Sequence, residues 1–442
     1  MRIAIVGAGY VGTCTGVAFA EQGHDVVLVD ADPSRVAALA AARPPFHEPG
    51  LPEALASLAR SKRLTATTQL PAAVRGADAV FLCVGTPSRK DGSLDDRFVR
   101  QAARQVGEAV ARARPPGPLV VVKSTVLPGT TDGVVRKELE RASGLRAGSR
   151  FALAANPEFL REGAALADAR APDRVVVGGV DDTSTRRALA LYETLDCPKV
   201  AVDARTAEMI KYASNAMLAA RVALVNEIAN LCAASGIDVE DVARGVGLDS
   251  RIGPHFLRAG AGFGGSCFPK DVRALAAAAR KARRPAPVLQ AVLAQNKAQP
   301  LEVVRLAKQA LGALRGKRIA LLGLAFKPDT DDVRETRALP IWRALVRAGA
   351  KVACYDPVAG ENFRRLAGRR VVLAASLTEA IDGADAAVIQ AEWPQFRLLA
   401  APEWARRMRR PLVIDGRRSV DARRLRAAGV EYLAVGLGRR VG

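Results

Sequence analysis

Short apolar runs alternate with Ala-rich stretches of helix-forming residues along the first 200 residues of the chain. The apolar runs are the lengths of strands, and residues on both of their faces are apolar. Such runs predict parallel strands that are covered by helices on both faces. The predicted strands are Arg2–Val6, Val26–Asp30, Ala79–Val84, Leu119–Lys123, Phe151–Ala155 and Arg174–Gly178.

The middle of the chain is helical. No Gly or Pro occurs from Thr206 to about Ser235, which predicts one long helix joining two halves. A second helix-rich stretch runs from Asp271 to about Leu314, with an interruption near Arg284-Pro285-Ala286-Pro287. Strands then return at Arg318–Gly323, Lys351–Tyr355, Ala386–Ile389 and Leu412–Asp415. We therefore predict three domains: an α/β domain over 1–203, a helical connector over 204–312 and a second α/β domain over 313–442.

Composition narrows the class of protein. Of 442 residues, 49% are hydrophobic and 25% charged, which is typical of a soluble globular protein and excludes a disordered chain. Six scattered cysteines and three histidines form no metal-ligand spacing, so we predict no metal site and a reducing compartment. The uncharged run Ile3–Ala20 is broken by four glycines and follows no basic leader. We therefore expect a cytoplasmic protein with no membrane partner.

The chain carries 66 Lys and Arg against 45 Asp and Glu, a formal charge of +21. This excess predicts attraction to polyanions or to phosphate-bearing small molecules, without choosing between them. The excess is dispersed, with few aromatic residues nearby, in the pairs Arg283-Arg284, Arg369-Arg370, Arg409-Arg410 and Arg417-Arg418. We interpret it mainly as a solvated surface and predict no nucleic-acid partner, although a nucleic-acid-binding protein remains the alternative.

A nucleotide fingerprint follows the first predicted strand. The segment Gly7-Ala8-Gly9-Tyr10-Val11-Gly12 has the form G-x-G-x-x-G and opens a helix. Its glycines permit a tight turn, the approach of a pyrophosphate, and close packing of helix against strand. Asp30 ends the second strand, where a carboxylate binds the ribose hydroxyls of NAD and repels the 2′-phosphate of NADP. The sequence predicts an NAD-binding, Rossmann-like domain.

One cysteine has an unusual setting. Cys267 lies between the glycine-rich segment Gly262-Phe263-Gly264-Gly265 and a helix start marked by Pro269 and Asp271. The helix dipole favours a thiolate at this position, and the glycines allow a substrate to approach the backbone. A buried, inert thiol is the alternative for any single cysteine, but the flanking loop favours a nucleophile.

Other candidates lie on the long helix and after a strand. Lys211 and Asn215 are four residues apart and share a helix face, where an ammonium can stabilise a developing oxyanion. The alternative for Lys211 is a salt bridge to Glu208, three residues earlier. Glu158 and Glu162 follow a predicted strand, at the edge where open α/β sheets bind ligands, with ordinary surface charge as their alternative.

Together these segments resemble the UDP-glucose/GDP-mannose dehydrogenase family over nearly the whole chain. The resemblance rests on four segments: Asn156 to Gly163 (N-P-E-F-L-R-E-G), Glu208 to Tyr212 with Asn215, Gly262 to Asp271 (G-F-G-G-S-C-F-P-K-D), and Ala325 to Arg334. It implies two Rossmann-like parallel-sheet domains joined by a long central helix, the first binding NAD and the second the UDP-sugar. It also implies oxidation of a sugar-nucleotide primary alcohol to the acid with two NAD.

The resemblance assigns roles to particular residues. Cys267 would be the nucleophile, Lys211 and Asn215 would stabilise the oxyanion, Asp271 would position water, and Glu158 would be the base for hydrolysis. Thr125 would lie near the nicotinamide and a catalytic water. The implied cofactor residues are Gly7, Gly9, Tyr10, Val11, Gly12, Asp30, Arg35, Thr86, Thr125, Glu162, Cys267 and Arg334. The implied substrate residues are Glu158, Phe159, Leu160, Arg161, Glu162, Lys211, Asn215, Arg251, Arg258, Gly260, Phe263, Gly264, Phe326, Lys327 and Arg417.

The resemblance further implies a homodimer in which Arg251 reaches the neighbouring subunit's site. UDP-glucose is the expected substrate, because Ala171–Val176 and Leu248–Gly253 are similar to the UDP-glucose branch. The segment Thr125–Gly129 is instead similar to the GDP-mannose branch, so GDP-mannose or an N-acetylated UDP-hexosamine stays open. A simple two-electron dehydrogenase is a further alternative, which the Cys267 loop disfavours.

Overall fold

The computed structural model describes residues 1–112 and 117–438. It contains two compact units, Met1–Ser214 and Asn215–Gly442, and the boundary between them falls inside one long helix. Each unit is an α/β fold built on its own sheet.

The sheet of the first unit has eight strands in the order β3-β2-β1-β4-β5-β6-β7-β8. The strands are β1 Arg2–Val6, β2 Asp25–Val29, β3 Leu64–Thr67, β4 Ala79–Leu82, β5 Leu119–Val122, β6 Ala152–Ala155, β7 Val175–Gly179 and β8 Lys199–Asp203. Neighbouring strands are parallel except β6 and β7, which pair antiparallel through Ala154 with Gly179 and Ala155 with Gly178. The prediction that all these strands are parallel is wrong at this pair, because an apolar run indicates burial on both faces, and this antiparallel pair is buried throughout as well.

Helices cover this sheet, and its core contains Ile3, Ile5, Phe19 and Phe81, each at most 2% exposed. The helices are α1 Tyr10–Glu21, α2 Pro33–Ala40, α3 Leu51–Ser61, α4 Leu70–Val74, α5 Arg97–Val110, a π-helix Thr130–Val135, α6 Arg136–Ser143, α7 Ala165–Arg170, α8 Asp182–Ala190 and α9 Ala204–Ala234. The strand order reverses at β1, and ligands of open α/β sheets bind at the carboxyl edge beside such a point.

The second unit has a six-stranded sheet in the order β11-β10-β9-β12-β13-β14, with every neighbouring pair parallel. Its strands are β9 Arg318–Leu322, β10 Lys351–Tyr355, β11 Val372–Leu373, β12 Ala386–Ile389, β13 Leu412–Asp415 and β14 Glu431–Ala434. Its helices are α10 Val239–Gly247, α11 Phe268–Lys281, α12 Pro287–Ala298, α13 Pro300–Leu311, α14 Ala338–Arg347, α15 Gly360–Ala367, α16 Leu377–Ile381, α17 Pro394–Leu398, α18 Ala401–Arg407 and α19 Ala422–Ala427.

The six strands of the second sheet have the same order as the first six strands of the first sheet. In both sheets an acidic residue follows the second strand. In the first unit, Gly7 N donates to Val29 O and Asp30 accepts from Ala8 N at 2.8 Å. In the second unit, Gly323 N donates to Tyr355 O, and Asp356 accepts from Leu324 N at 2.7 Å. The prediction of two Rossmann-like domains is confirmed by this repeated turn.

The long predicted helix is confirmed as α9, which spans 31 residues. Among the described helices it is also the one long and apolar enough to cross a membrane by length and composition alone. Its charged residues Arg205, Glu208, Lys211, Arg221 and Glu227 are spread along its length. A long core helix of a soluble protein has the same properties, so this feature is weak evidence for a membrane span.

Candidate active site

The glycine fingerprint forms a cradle between β1 and α1. Gly7 has a φ of 103°, which favours glycine, and a Cβ on Gly12 would lie 1.9 Å from the Gly7 carbonyl oxygen. A Cβ on Gly9, by contrast, would project into open space. The turn is therefore closed where helix meets strand and open where a pyrophosphate would approach the helix N-terminus. These residues fit a dinucleotide such as NAD.

Asp30 and Arg35 form the ribose end of this cradle. The Asp30 Oδ2 atom accepts from Ala8 N at 2.8 Å and from Arg35 Nη1 at 2.9 Å. The carboxylate thereby fixes the glycine turn, while the side chain of Arg35 is 37% exposed. Beside the same turn, the Tyr10 ring stacks on Phe46 at 3.8 Å between ring centroids. Asp30 thus has a structural partner in addition to its predicted cofactor role.

The loops after β4 and β5 are tied together. Thr86 Oγ1 donates to the Thr125 carbonyl oxygen at 2.9 Å. The Ser124 hydroxyl donates to the carbonyl oxygens of Leu82 and Val84 at 3.1 and 2.7 Å. Both predicted cofactor threonines therefore lie at the carboxyl edge of the sheet, on loops held by hydrogen bonds to backbone.

Glu158 and Lys211 form a buried ion pair in the first unit. The Lys211 Nζ atom lies 3.1 Å from Glu158 Oε1, and the side chains are 4% and 5% exposed. Glu158 Oε2 also accepts from Leu160 N at 2.6 Å, which turns the chain directly after the carboxylate. The structure brings these two predicted residues together although they are far apart in sequence.

Glu208 has a different partner from the one the sequence suggested. Its carboxylate accepts from Gly129 N at 2.6 Å and from Thr131 N at 2.8 Å, at the start of the π-helix. Burial raises the pKa of Glu208 to about 7, against the lowering effect of these bonds. The alternative of a Glu208 salt bridge to Lys211 is wrong, since Glu158 takes that place.

The aromatic ring of Phe159 lies beside two cations. The Arg174 guanidinium is 3.9 Å from the ring centroid, and the Lys211 ammonium is 5.4 Å away. Arg161, in contrast, is exposed and forms a two-bond pair with Asp168 at 2.6 and 3.0 Å. Of the predicted substrate residues in this segment, Phe159 therefore contacts Lys211, whereas Arg161 is held on the surface.

In the second unit, Cys267 is the N-cap of α11, and its thiol lies 3.5 Å from the Ser266 hydroxyl. Asp271, in the first turn of the same helix, is 1% exposed. Its carboxylate accepts from Asn215 Nδ2 at 2.6 Å and from Lys270 Nζ at 2.5 Å. Three predicted catalytic residues, Cys267, Asp271 and Asn215, therefore occupy the second unit, with Asp271 linked to Asn215.

The glycine loop before Cys267 is fixed through its backbone. Gly260 N donates to Asn226 Oδ1 at 2.8 Å, and Asn296 exchanges two hydrogen bonds with the backbone of Phe263 at 2.7 and 2.9 Å. A Cβ on Gly264 would lie 2.5 Å from the Glu335 carbonyl oxygen. The loop therefore requires glycine because other backbone segments approach it closely.

Predicted substrate residues follow strands β9 and β13. The Lys327 ammonium lies 5.7 Å from the Phe326 ring, and Arg417 Nη2 donates to the Phe326 carbonyl oxygen at 3.3 Å. Arg258 pairs with Glu392 at 2.8 Å and also donates to the Arg417 carbonyl oxygen. Lys327 and Arg417 thus both contact Phe326, and Arg258 contacts the backbone of Arg417, so cationic side chains lie together in a way that suits a phosphate-bearing ligand.

Two further predicted arginines have local carboxylate partners. Arg334 pairs with Asp332 at 2.7 Å, and Arg251, which is 86% exposed, pairs with Asp249 at 2.6 Å. The interpretation of the arginine pairs as solvated surface is wrong for Arg418. That side chain is 8% exposed and pairs with Asp238, the residue before α10, at 2.7 Å and with Glu240 of α10 at 3.1 Å.

Sequence reasoning missed several residues that support the site. Lys123 and Tyr192 both donate to Asn156 Oδ1, at 2.8 and 2.5 Å. Glu48 accepts from Gly163 N and Ala165 N at 2.8 and 2.6 Å, and thereby holds the loop that follows Glu158. The sequence signal for Lys123 was a charged residue at the end of an apolar strand. No local pattern marks Tyr192 or Glu48.

Comparison with known proteins agrees with this geometry. Residues 1–196 match the NAD binding domain of the UDP-glucose/GDP-mannose dehydrogenase family, residues 205–298 its central domain, and residues 320–422 its UDP binding domain. The chain belongs to the UDP-glucose/GDP-mannose dehydrogenase family. As a member, it is an NAD-dependent oxidoreductase, and its UDP binding domain indicates a UDP-sugar substrate.

Relatives of this family member match it along nearly its full length. UDP-glucose 6-dehydrogenase AglM of Haloferax volcanii is 44% identical over 437 residues, which cover 98% of this chain and 99% of the relative. A UDP-glucose dehydrogenase structure from Pyrobaculum islandicum has 42% identity and a TM-score of 0.90, covering 98% of this chain and 97% of that one. A UDP-D-ManNAc dehydrogenase structure from Pyrococcus horikoshii has 28% identity and a TM-score of 0.86, covering 99% of both.

Proposed function

We propose that this enzyme oxidises UDP-glucose to UDP-glucuronate, consuming two NAD and one water per sugar. The observation that carries the proposal is Cys267 at the N-cap of α11, one turn before a buried Asp271 that is bonded to Asn215. A two-electron alcohol dehydrogenase has no use for a nucleophilic thiol, whereas a four-electron oxidation needs one to hold the aldehyde. The high identity to proteins named UDP-glucose 6-dehydrogenase supports UDP-glucose as the sugar nucleotide.

The first oxidation removes a proton from the C6 hydroxyl and a hydride from C6, which leaves an aldehyde. NAD, when bound, supplies the hydride acceptor for this oxidation and for the second one. The Cys267 thiolate then adds to the aldehyde carbon, forming a C–S bond, and O6 takes up a proton to give a thiohemiacetal. The ammonium of Lys211 and the amide of Asn215 stabilise the negative charge on O6 as these bonds change.

The second oxidation removes a hydride from C6 of the thiohemiacetal and a proton from O6, which gives a thioester. Water then attacks C6, the C–S bond breaks, and Cys267 leaves as a thiolate. Glu158 takes the proton of the attacking water, and Asp271 orients that water. The product is the carboxylate, so atoms and electrons balance with two hydrides lost and one water gained.

The chain's own residues account for the choice of cofactor. The carboxylate of Asp30 lies at the ribose end of the glycine cradle, where it binds hydroxyls and repels a 2′-phosphate. Arg35 partly neutralises it at 2.9 Å but leaves one oxygen to accept from Asp32 N. We propose Thr86, Thr125, Glu162 and Arg334 as the remaining cofactor contacts, on the basis of the family's pattern.

A panel of sugar nucleotides tests the substrate. UDP-glucose, GDP-mannose and UDP-N-acetylmannosamine are each supplied with NAD, and the products are identified by mass spectrometry. We expect kcat/KM for UDP-glucose to exceed the others by at least about 100-fold, with UDP-glucuronate as the product. Turnover of only GDP-mannose or only the N-acetylated sugar would keep the mechanism but refute the substrate.

We also propose that the enzyme is a homodimer formed along α9. Met217, Leu224 and Leu231 are 71%, 59% and 64% exposed and recur every seven residues, which places them on one face of the helix. Exposed large apolar side chains in a stripe of this kind are typical of an interface, and we infer that a second copy of the chain covers them. Light scattering of wild type and Leu224→Glu tests this, because the variant should shift from dimer to monomer.

Arg251 provides a test of a shared site. If it reaches the neighbouring subunit, Arg251→Ala and Cys267→Ser fall in the same site of a mixed dimer and leave the other site intact. Subunits of the two variants, mixed by unfolding and refolding, should then regain about a quarter of the wild-type activity, because half of the dimers contain one intact site. No regain of activity would place Arg251 in its own subunit's site.

We retain two finer expectations as part of this proposal. The three-part division at residues 203/204 and 312/313 stays a prediction about folding units. A cytoplasmic location remains our proposal, since NAD and nucleotide sugars are cytoplasmic metabolites.

A further inference from the structure

Lys123, which directly follows β5, is a buried lysine that the mechanism above does not use. Its side chain is enclosed at the carboxyl edge of the first sheet, with the residue 8% exposed. Its Nζ atom donates to Asn156 Oδ1 at 2.8 Å and lies 5.6 Å from the Tyr192 ring centroid. Within residues 1–112 and 117–438, no carboxylate forms an ion pair with it. A buried ammonium without such a partner destabilises a fold, so packing alone does not explain a lysine here.

Lys123 is connected through its hydrogen-bond partner, Asn156, to the segment that carries Glu158. Asn156 is 1% exposed, accepts from Tyr192 Oη at 2.5 Å and donates through Nδ2 to Val176 O at 2.7 Å. Asn156 is the first residue after β6, and Glu158 follows two residues later on the same turn. Fixing the Asn156 side chain therefore fixes the start of the segment that carries Glu158.

Lys123 also interacts electrostatically with the Glu158–Lys211 ion pair. Glu158 and Lys211 lie 3.1 Å apart, and both are close enough to Lys123 for their charges to act on it. The first unit thus holds a buried carboxylate with one ammonium bonded to it and a second buried ammonium whose charge interacts with it. The charge of Lys123 attracts the Glu158 carboxylate and repels the Lys211 ammonium.

We propose that Lys123 is a positioning residue for the oxidation, whose ammonium holds Asn156 and whose charge attracts the Glu158 carboxylate of the Glu158–Lys211 pair. The inference rests on the proposed function, because it assigns to this pair a part in the chemistry. Lys123 itself touches neither reacting atoms nor cofactor in this scheme, and it acts through Glu158.

The proposal predicts a pH dependence. Burial lowers the pKa of Lys123 to about 8; the charges of Cys83 and Glu158 oppose this lowering, and that of Lys211 adds to it. Burial raises the pKa of Cys83 to about 12 and raises the pKa of Tyr192 as well, so both stay neutral near pH 8. As the pH rises through about 8, Lys123 loses its charge while its amine still donates to Asn156. We therefore expect kcat to fall on the alkaline side of about pH 8.

The test compares Lys123→Met with wild type, with Tyr192→Phe as a matched control. Methionine keeps the length of the side chain and removes the charge, and Asn156 Oδ1 retains the Tyr192 hydroxyl as donor. We expect an unchanged or higher melting temperature, kcat lower by at least about tenfold, KM values within about twofold, and no alkaline limb near pH 8. Tyr192→Phe removes a donor from the same acceptor but keeps the charge, so it should keep the alkaline limb.

Lys123→Arg adds a rescue experiment. A guanidinium does not titrate in this range, so this variant should recover part of kcat and lose the limb near pH 8. Wild-type kcat and an unaltered pH profile in Lys123→Met would overturn the proposal. So would a lower melting temperature with equal losses of kcat in Lys123→Met and Tyr192→Phe, which would assign a structural role only. If Lys123→Met does not fold, a limb near pH 8 that persists in Lys123→Arg overturns the proposal.

The proposed substrate and the proposed role of Lys123 can be refuted separately. Wild-type enzyme that does not oxidise UDP-glucose refutes the proposed substrate. Wild-type turnover with an unchanged Lys123→Met profile refutes the role of Lys123 alone.

Discussion

The buried carboxylate of Glu208 makes the stability of the first unit depend on pH. Burial raises the pKa of Glu208 from its ordinary value of 4.5 to about 7, although Gly129 N and Thr131 N donate to it. The nearby Asp132 charge raises the pKa further, and Arg205 pairs with Asp132 at 2.6 Å. Since one pKa unit corresponds to about 1.4 kcal/mol, this difference amounts to about 3 kcal/mol.

The sign follows from proton binding. The folded state binds the Glu208 proton more tightly than the unfolded state, so this stabilisation is complete below about pH 4.5. It is lost as the pH rises through about 7, where the folded protein must bury a charged carboxylate. Glutamine has the shape of the protonated acid and no charge. At pH 5.5 about 1 kcal/mol of this stabilisation is already lost, and one weakened backbone bond offsets a similar amount, so Glu208→Gln should lie within about 1 kcal/mol of wild type. At pH 8.5 the variant should exceed wild type by about 1–3 kcal/mol.

Thermal unfolding at the two pH values measures this effect. For a unit of this size, about 2–4 °C per kcal/mol predicts a melting temperature higher by about 2–12 °C for Glu208→Gln at pH 8.5. The matched control is Glu108→Gln, at an exposed position of α5 in the same unit, which should follow wild type at both pH values. A Glu208→Gln variant that melts below wild type by the same amount at both pH values would refute the reasoning. That result would mean that the two backbone bonds outweigh the cost of burying the charge.

Three further predictions concern the predicted site residues. Limited alkylation near pH 7.5 should modify Cys267 first and leave Cys83 unmodified, since burial raises the pKa of the Cys83 thiol to about 12; peptide mass spectrometry that finds Cys83 labelled first would contradict this. Asp30→Asn should lower kcat/KM for NAD by about tenfold and improve use of NADP, because it removes the charge that repels a 2′-phosphate; an unchanged cofactor ratio in initial-rate assays would refute this role. Asp271→Asn should lower kcat by about 100-fold with little change in KM for UDP-glucose, and an effect on KM alone would assign Asp271 to binding.

The sequence predicted those parts of the fold and site whose signals are local. A glycine fingerprint, a long helix without Gly or Pro, and a glycine loop before Cys267 each depend on neighbours in the chain. The short strands Leu64–Thr67 and Lys199–Asp203 were missed, because polar residues interrupt or flank their short apolar runs. The strands Val372–Leu373 and Glu431–Ala434 were missed although each lies in an apolar run. The helix break at Gln299-Pro300 was missed as well, although a proline marks it.

Pairings between distant residues could not be read from the sequence. Proximity along α9 suggested Glu208 as the partner of Lys211, but the sheet brings Glu158 to that position instead. Glu208 turns toward the backbone of the π-helix, whose conformation no sequence pattern indicated. The hydrogen bond from Lys123 to Asn156 likewise requires the carboxyl ends of β5 and β6 to be adjacent. Residue types were therefore predictable where chemistry marks them, whereas their partners depended on the folded sheet.

The stoichiometry of NADH formation tests the four-electron mechanism most directly. Limiting UDP-glucose is converted to completion with excess NAD by wild type and by Cys267→Ser, and NADH is measured by its absorbance. The mechanism predicts two NADH per UDP-glucose for wild type, with UDP-glucuronate as the product, and no sustained double turnover for the serine variant. One NADH per UDP-glucose in wild type, or two in Cys267→Ser at a comparable rate, would contradict the role of the thiol.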